Sequence, residues 1–125
     1  MKGCITALVT LAVLTCAIAA GAMAGNGAVA TVRVTIHGHP EGNPAIPGKV
    51  YYAPDKVKAG TLVTFKITNT DIRGHDFEIN GVISRIIGAK GGQGLLRVRF
   101  KKPGNYFGSC IDDNHSGIGG LFVVS

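Results

Sequence analysis

Residues 63–68 read Val-Thr-Phe-Lys-Ile-Thr, an unbroken alternation of apolar and polar side chains. A strand turns successive side chains to opposite faces, so this run buries Val63, Phe65 and Ile67 and leaves Thr64, Lys66 and Thr68 wet. The same period recurs upstream, where Val32, Val34 and Ile36 alternate with Thr31, Arg33, Thr35 and His37. Downstream, Leu96, Val98 and Phe100 alternate with Arg97, Arg99 and Lys101. Turn-forming clusters separate these runs at 38–44, at Ala53-Pro54-Asp55, at Asn80-Gly81, across 88–94 and at 102–105. No segment beyond residue 24 keeps a helical period flanked by caps. The pattern predicts roughly seven or eight short strands in one all-β domain, a Greek-key β-sandwich with its strands antiparallel.

The 125 residues, 46% hydrophobic and 16% charged with 19 glycines, leave room for one core and exclude a disordered or collagen-like chain. Lys2 precedes an uncharged run from Gly3 to Ala24 that ends Ala22-Met23-Ala24. A basic start, an apolar middle and a small-x-small end predict a secretory signal over residues 1–24, removed to leave residues 25–125 as the folded domain. An uncleaved membrane anchor is the competing reading, since the run nearly matches a bilayer in length. A lipoprotein reading at Cys16 lacks the small residue expected just before the cysteine. Either way the domain is expected outside the cytoplasm, periplasmic or secreted.

Loss of the leader removes Cys4 and Cys16 and strands one thiol, Cys110, in an oxidising compartment. A lone thiol there is open to oxidation or intermolecular pairing unless something occupies it. Without Lys2, the only charged residue of the leader, the net charge falls from +6 to +5. That excess suits an acidic protein surface; nucleic acid would call for a basic stripe interleaved with aromatics, which is absent.

Parity then places the polar groups. In Gly74-His75-Asp76-Phe77-Glu78-Ile79 the histidine shares its face with Phe77 and Ile79, where an imidazole needs a partner to offset desolvation. In Tyr106-Phe107-Gly108-Ser109-Cys110 the thiol ends a strand, and a short loop returns His115 five residues later. One thiolate with two imidazoles suits a borderline-soft transition metal, and a trigonal His2Cys set holds copper for electron transfer. Soft sulfur stabilises Cu(I), nitrogen accommodates Cu(II), and a rigid sandwich end keeps the geometry nearly constant between them.

The stretch from Tyr52 to Val124 resembles a cupredoxin, and within that superfamily it is most similar to the copper domain of cytochrome c oxidase subunit II. The likeness runs through Ala53-Pro54, Gly60-Thr61, Val63-Thr64-Phe65, Thr68-Asn69, GHDF at 74–77, PGNYFGSC at 103–110 and NHSG at 114–117. It implies His75, Cys110 and His115 as copper ligands, the histidines binding through Nδ1, and a carrier of single electrons with no catalysis of its own. His115 would be the electron port. The subunit II loop has the form C-x3-C-x3-H-x2-M and holds two coppers. Here it is Cys110-x4-His115 with one cysteine, which implies a mononuclear site. Ile118 stands where the resemblance puts an axial methionine, and the only methionines, Met1 and Met23, lie in the leader. An axial position walled by Ile118 would disfavour Cu(II) and raise the reduction potential. Asp112 or Asp113, a carbonyl or water could enter it instead. Asp76 falls where relatives place a side chain that hydrogen-bonds the ligand loop, a bracing role beside Cys110.

Other readings of the same residues are a copper carrier or chaperone that exchanges its metal, and a red-copper protein whose open axial position takes a small ligand. A structural zinc site wants four ligands where three are evident. A Cys-His nucleophile pair lacks a recognisable orienting residue and oxyanion element. GAKGGQG at 88–94 lacks the Lys-Ser/Thr ending of a phosphate loop and reads as a connection between strands. His37 and His39 read as a solvated pair at a turn, with a second metal site as the sharper alternative. Arg97, Arg99, Lys101 and Lys102 read as the wet side of an edge strand, with a docking patch as theirs.

Overall fold

The computed structural model describes residues 27–39, 43, 46–111 and 117–125, so residues 1–24, expected to be a leader, and residues 112–116 lie outside the described residues. Among the described residues nine strands form: β1 (Val29–His37), β2 (Lys49–Ala53), β3 (Lys56–Val57), β4 (Leu62–Asn69), β5 (Glu78–Ile79), β6 (Val82–Ile83), β7 (Gly92–Arg99), β8 (Gly104–Ser109) and β9 (Gly119–Val124). Hydrogen bonding orders them β6-β5-β8-β9-β2-β1-β4-β7, with β3 added on β9. The all-β sandwich expected from the sequence is the observed architecture.

Strand direction is where pattern and structure part. β1 runs parallel to β4, from Val29 opposite Leu62 to Ile36 opposite Asn69. β9 is parallel to both β2 and β3. A period of two reports which face is buried and is indifferent to the direction of the neighbour, so crossover connections are invisible to it. Two of the extra strands, β3 and β5, have two residues each and are too short to show any period. The Asn80-Gly81 turn behaves as its residues dictate: both have positive φ, 53° and 75°, the pair of left-handed conformations that closes a two-residue hairpin between β5 and β6.

Burial follows the alternation. Val32, Val34 and Ile36 of β1, Val63, Phe65 and Ile67 of β4 and Val98 of β7 are all at most 2% exposed. Phe65, Phe77, Phe100 and Phe122 meet at the centre with ring centroids 5.3 to 6.1 Å apart, tilted or edge-on. Each such pair adds about 0.5–1.5 kcal/mol beyond the area it buries. Tyr52 completes the cluster, 5.2 Å from Phe122, and its hydroxyl donates to the Gly120 carbonyl. Burial pushes its phenol well above the usual tyrosine range.

The segment between β6 and β7 packs over the start of β7. A Cβ on Gly94 would come within 2.8 Å of the Ile87 side chain, so a bare glycine lets Ile87 settle there. Ile87 in turn pairs with His75 through both backbone groups, His75 N–H to Ile87 C=O at 3.0 Å and the reverse at 2.7 Å. The sheet thereby delivers one histidine to the edge of the core.

Candidate metal centre

His75 follows β4 by six residues, and Asn69, the last residue of that strand, organises the interval. Asn69 is fully buried. Its amide donates to the carbonyls of Arg73 at 2.7 Å, Ile87 at 3.1 Å and Gly88 at 3.1 Å, and its side-chain oxygen accepts the Asp71 N–H at 3.0 Å. One side chain thus closes the loop and ties it to the strand pair carrying His75. A buried amide unable to reach these groups would forfeit their hydrogen bonds at about 1–3 kcal/mol each.

The imidazole of His75 is 1% exposed and is held at both nitrogens. Nδ1 lies 3.2 Å from Cys110 Sγ and Nε2 lies 2.5 Å from Asp71 Oδ2. A carboxylate beside Nε2 favours the tautomer with its proton there, which turns the lone pair of Nδ1 toward sulfur. Cys110 comes directly after β8 and is 6% exposed. Its N–H donates to the Ile118 carbonyl at 3.2 Å.

Asp76 Oδ1 accepts the Ile111 N–H at 2.9 Å and stands 3.3 Å from Cys110 Sγ. Ile118 is buried at 1% exposure. His115, Asp112 and Asp113 lie outside the described residues. Among the described residues no three His, Cys, Asp or Glu side chains converge as a complete metal cage. What is present is a buried thiol beside a buried imidazole nitrogen, two groups able to act as donors. Metal bonds to sulfur and nitrogen run about 2.0–2.3 Å, so a 3.2 Å separation lets both reach one ion with small adjustment. A soft sulfur with an imidazole fits copper by donor chemistry.

Asp71 is the residue that parity did not find, because it sits in the loop after β4 where alternation stops. Its one sequence signal is the Asp-x3-His spacing ahead of His75. It also corrects the objection that a Cys-His pair here lacks an orienting residue, since Asp71 orients His75 from the side opposite sulfur. The group beside Cys110 Sγ is the Asp76 carboxylate, an acceptor, and the nearby Ile111 N–H is already engaged by it.

His37 is exposed and His39 half-buried. The His37 ring meets Tyr51 edge-on at 5.1 Å, and His39 Nδ1 donates to the Ile46 carbonyl at 2.6 Å. Both line a cleft of about 650 Å³ with Lys49, Tyr51, Asp71 and Ile72. Arg97, Arg99, Lys101 and Lys102 are exposed, and β7 is at one end of the strand order. The Gly88–Gly91 turn connects strands, while Gly92 and Gly94 belong to β7 itself.

No protein-family model matches the sequence, and no curated protein matches it. Among solved structures, a multicopper oxidase superposes with a TM-score of 0.52 at 19% identity, covering 79% of this chain and 45% of its own. A laccase-like multicopper oxidase, CueO from the lignin-degrading bacterium Ochrobactrum sp., gives a TM-score of 0.48 at 18% identity, over 78% of this chain and 27% of that one. This chain spans less than half the length of either. Multicopper oxidases are cupredoxin-fold proteins, and the fold of this chain is a cupredoxin-like β-sandwich.

Proposed function

We propose that this chain is an exported mononuclear copper protein that carries single electrons between redox partners and catalyses nothing itself. The observation that carries the reading is the buried contact of His75 Nδ1 with Cys110 Sγ at 3.2 Å, with the far side of the ring fixed by Asp71. His75, Cys110 and His115 would hold the metal, His115 on the strength of the NHSG likeness to the subunit II copper domain. Copper, when bound, supplies a one-electron couple between Cu(I) and Cu(II).

The protein's part is to keep the donors still. Asn69 and Ile87 fix the backbone of His75, the Ile118 carbonyl and Asp76 fix the backbone on either side of the Cys110 thiol, and the aromatic cluster stiffens the sheet beneath them. A site that moves little between oxidation states exchanges electrons quickly. The exposed basic side chains favour a partner with an acidic docking surface, outside the cytoplasm if the leader directs export.

The test is to load the full chain with Cu(II) and record visible absorption and electron paramagnetic resonance. An intense sulfur-to-copper charge-transfer band is expected, lost in Cys110→Ser and displaced in His115→Ala. A colourless sample, or a band that survives Cys110→Ser, rejects the proposal. Azide titration separates the red-copper alternative: a spectral shift at stoichiometric azide marks an open axial position.

A further inference from the structure

Two observations from distant parts of the chain converge on one carboxylate. Asp71 is anchored at every polar group of its backbone and side chain: its N–H to Asn69 Oδ1 at 3.0 Å, its carbonyl from Lys90 N–H at 2.7 Å, its Oδ1 from Ile72 N–H at 2.7 Å and its Oδ2 from His75 Nε2 at 2.5 Å. The His75 side chain is wholly buried and that of Asp71 only 10% exposed, so this contact is largely shielded from water. Separately, a Cβ built on Gly38 would fall 2.0 Å from both Cγ and Oδ2 of Asp71. Any side chain at 38 would therefore occupy the space the carboxylate needs. Gly38 follows β1 and Asp71 follows β4, and the parallel pairing of those strands brings the two together.

We infer that Asp71 is a positioning residue for His75, seated by the missing side chain at Gly38, and that this pair fixes the ring proton on Nε2 and aims Nδ1 at the ligand side of Cys110. A carboxylate accepting from the remote nitrogen of a metal-binding histidine holds the ring's orientation and raises the basicity of the donor nitrogen, and removing such a partner costs about 10–100-fold in metal affinity. The metal arm of the inference rests on the copper reading; the ring-proton arm does not.

Wild-type, Asp71→Asn, Asp71→Ala and Gly38→Ala full-length chains, each checked for native circular dichroism, would be compared first without metal. Proton NMR of nitrogen-15-histidine samples should show the His75 Nε2–H as a downfield, exchange-protected resonance in the wild type. It should move upfield yet persist in Asp71→Asn, whose amide oxygen still accepts, and lose its protection in Asp71→Ala and Gly38→Ala. The second arm measures Cu(I) affinity by competition with a chelator and the midpoint potential by titration. Affinity should fall about 10–100-fold in Asp71→Ala and Gly38→Ala, less in Asp71→Asn, and the potential should rise in all three as the ring donates less to Cu(II).

An unprotected Nε2–H in the wild type, or the same protected resonance in Asp71→Ala, overturns the inference. Wild-type affinity and potential in Asp71→Ala overturn it as well. If none of the four chains binds copper while the resonance behaves as expected, the positioning role stands and the copper reading is what falls.

Discussion

Asp76 puts one oxygen to two uses, taking the Ile111 N–H at 2.9 Å and facing Cys110 Sγ at 3.3 Å. A negative charge that close to the donor sulfur favours the more positive oxidation state of a bound metal, so Asp76→Asn should raise the reduction potential. Loss of half the brace on the loop should also broaden the electron paramagnetic resonance signal. A lowered potential would show that the carboxylate acts through geometry and not through charge. On the copper reading Ile118, buried at 1% exposure, would bear on the same quantity from the position that the resemblance gives to a methionine. Ile118→Met offers a thioether, which should stabilise Cu(II) and lower the potential. Square-wave voltammetry of the two variants gives opposite signs if both accounts hold.

At the scale of elements, the junction after β4 does most to build the site. Asn69→Ala deletes four hydrogen bonds that link the β4 end, the Arg73 carbonyl and the Ile87–Gly88 turn. The expected loss is about 2–4 kcal/mol in urea unfolding, together with weaker metal retention, because His75 hangs from that junction. A smaller loss with unchanged metal affinity would place the control of His75 elsewhere. Tyr52, in β2, makes the fold sensitive to alkaline pH. Its folded phenol is held above the ordinary value of about 10 by burial, so ionisation favours the unfolded chain. Its contribution is complete below about pH 10 and is lost as pH rises beyond that. Tyr52→Phe should move the alkaline unfolding midpoint upward, followed by circular dichroism, while costing about 1 kcal/mol at neutral pH for the bond to Gly120.

At the scale of the whole molecule, the outward face of β1, β4 and β7 carries a row of exposed bases. Arg33 and Lys66 sit opposite each other on the outward side of β1 and β4, with Leu95 beside Lys66 and Arg97 opposite Thr64. Among the described residues no Asp or Glu carboxylate lies within pairing distance of these cations. Asp71, Asp76 and Glu78 all flank His75 instead. The basic flank is the surface an acidic partner would meet, and the field it generates acts on association rate most strongly at low salt. Arg33→Glu with Lys66→Glu should weaken binding to polyglutamate, used as a stand-in acidic partner in calorimetry, and flatten its salt dependence. Arg85→Glu, on the segment between β6 and β7, should leave both nearly unchanged. Equal effects from the two variants would reduce the flank to a matter of net charge.

The alternation in residues 31–37, 63–68 and 96–101 was enough to specify a two-faced sheet protein, because side-chain parity in a strand follows from backbone geometry alone. The same parity put His75 beside Phe77 and Ile79 and Cys110 at a strand end, so the burial of these two side chains was legible. Strand direction was not, since parallel and antiparallel neighbours bury the same face. Nor was Asp71 or the space at Gly38: both lie in connections where periodicity stops, and their meeting depends on β1 packing parallel to β4. Local chemistry is written along the chain. Which loop carboxylate reaches a buried ring is decided only when separate strands come to rest side by side.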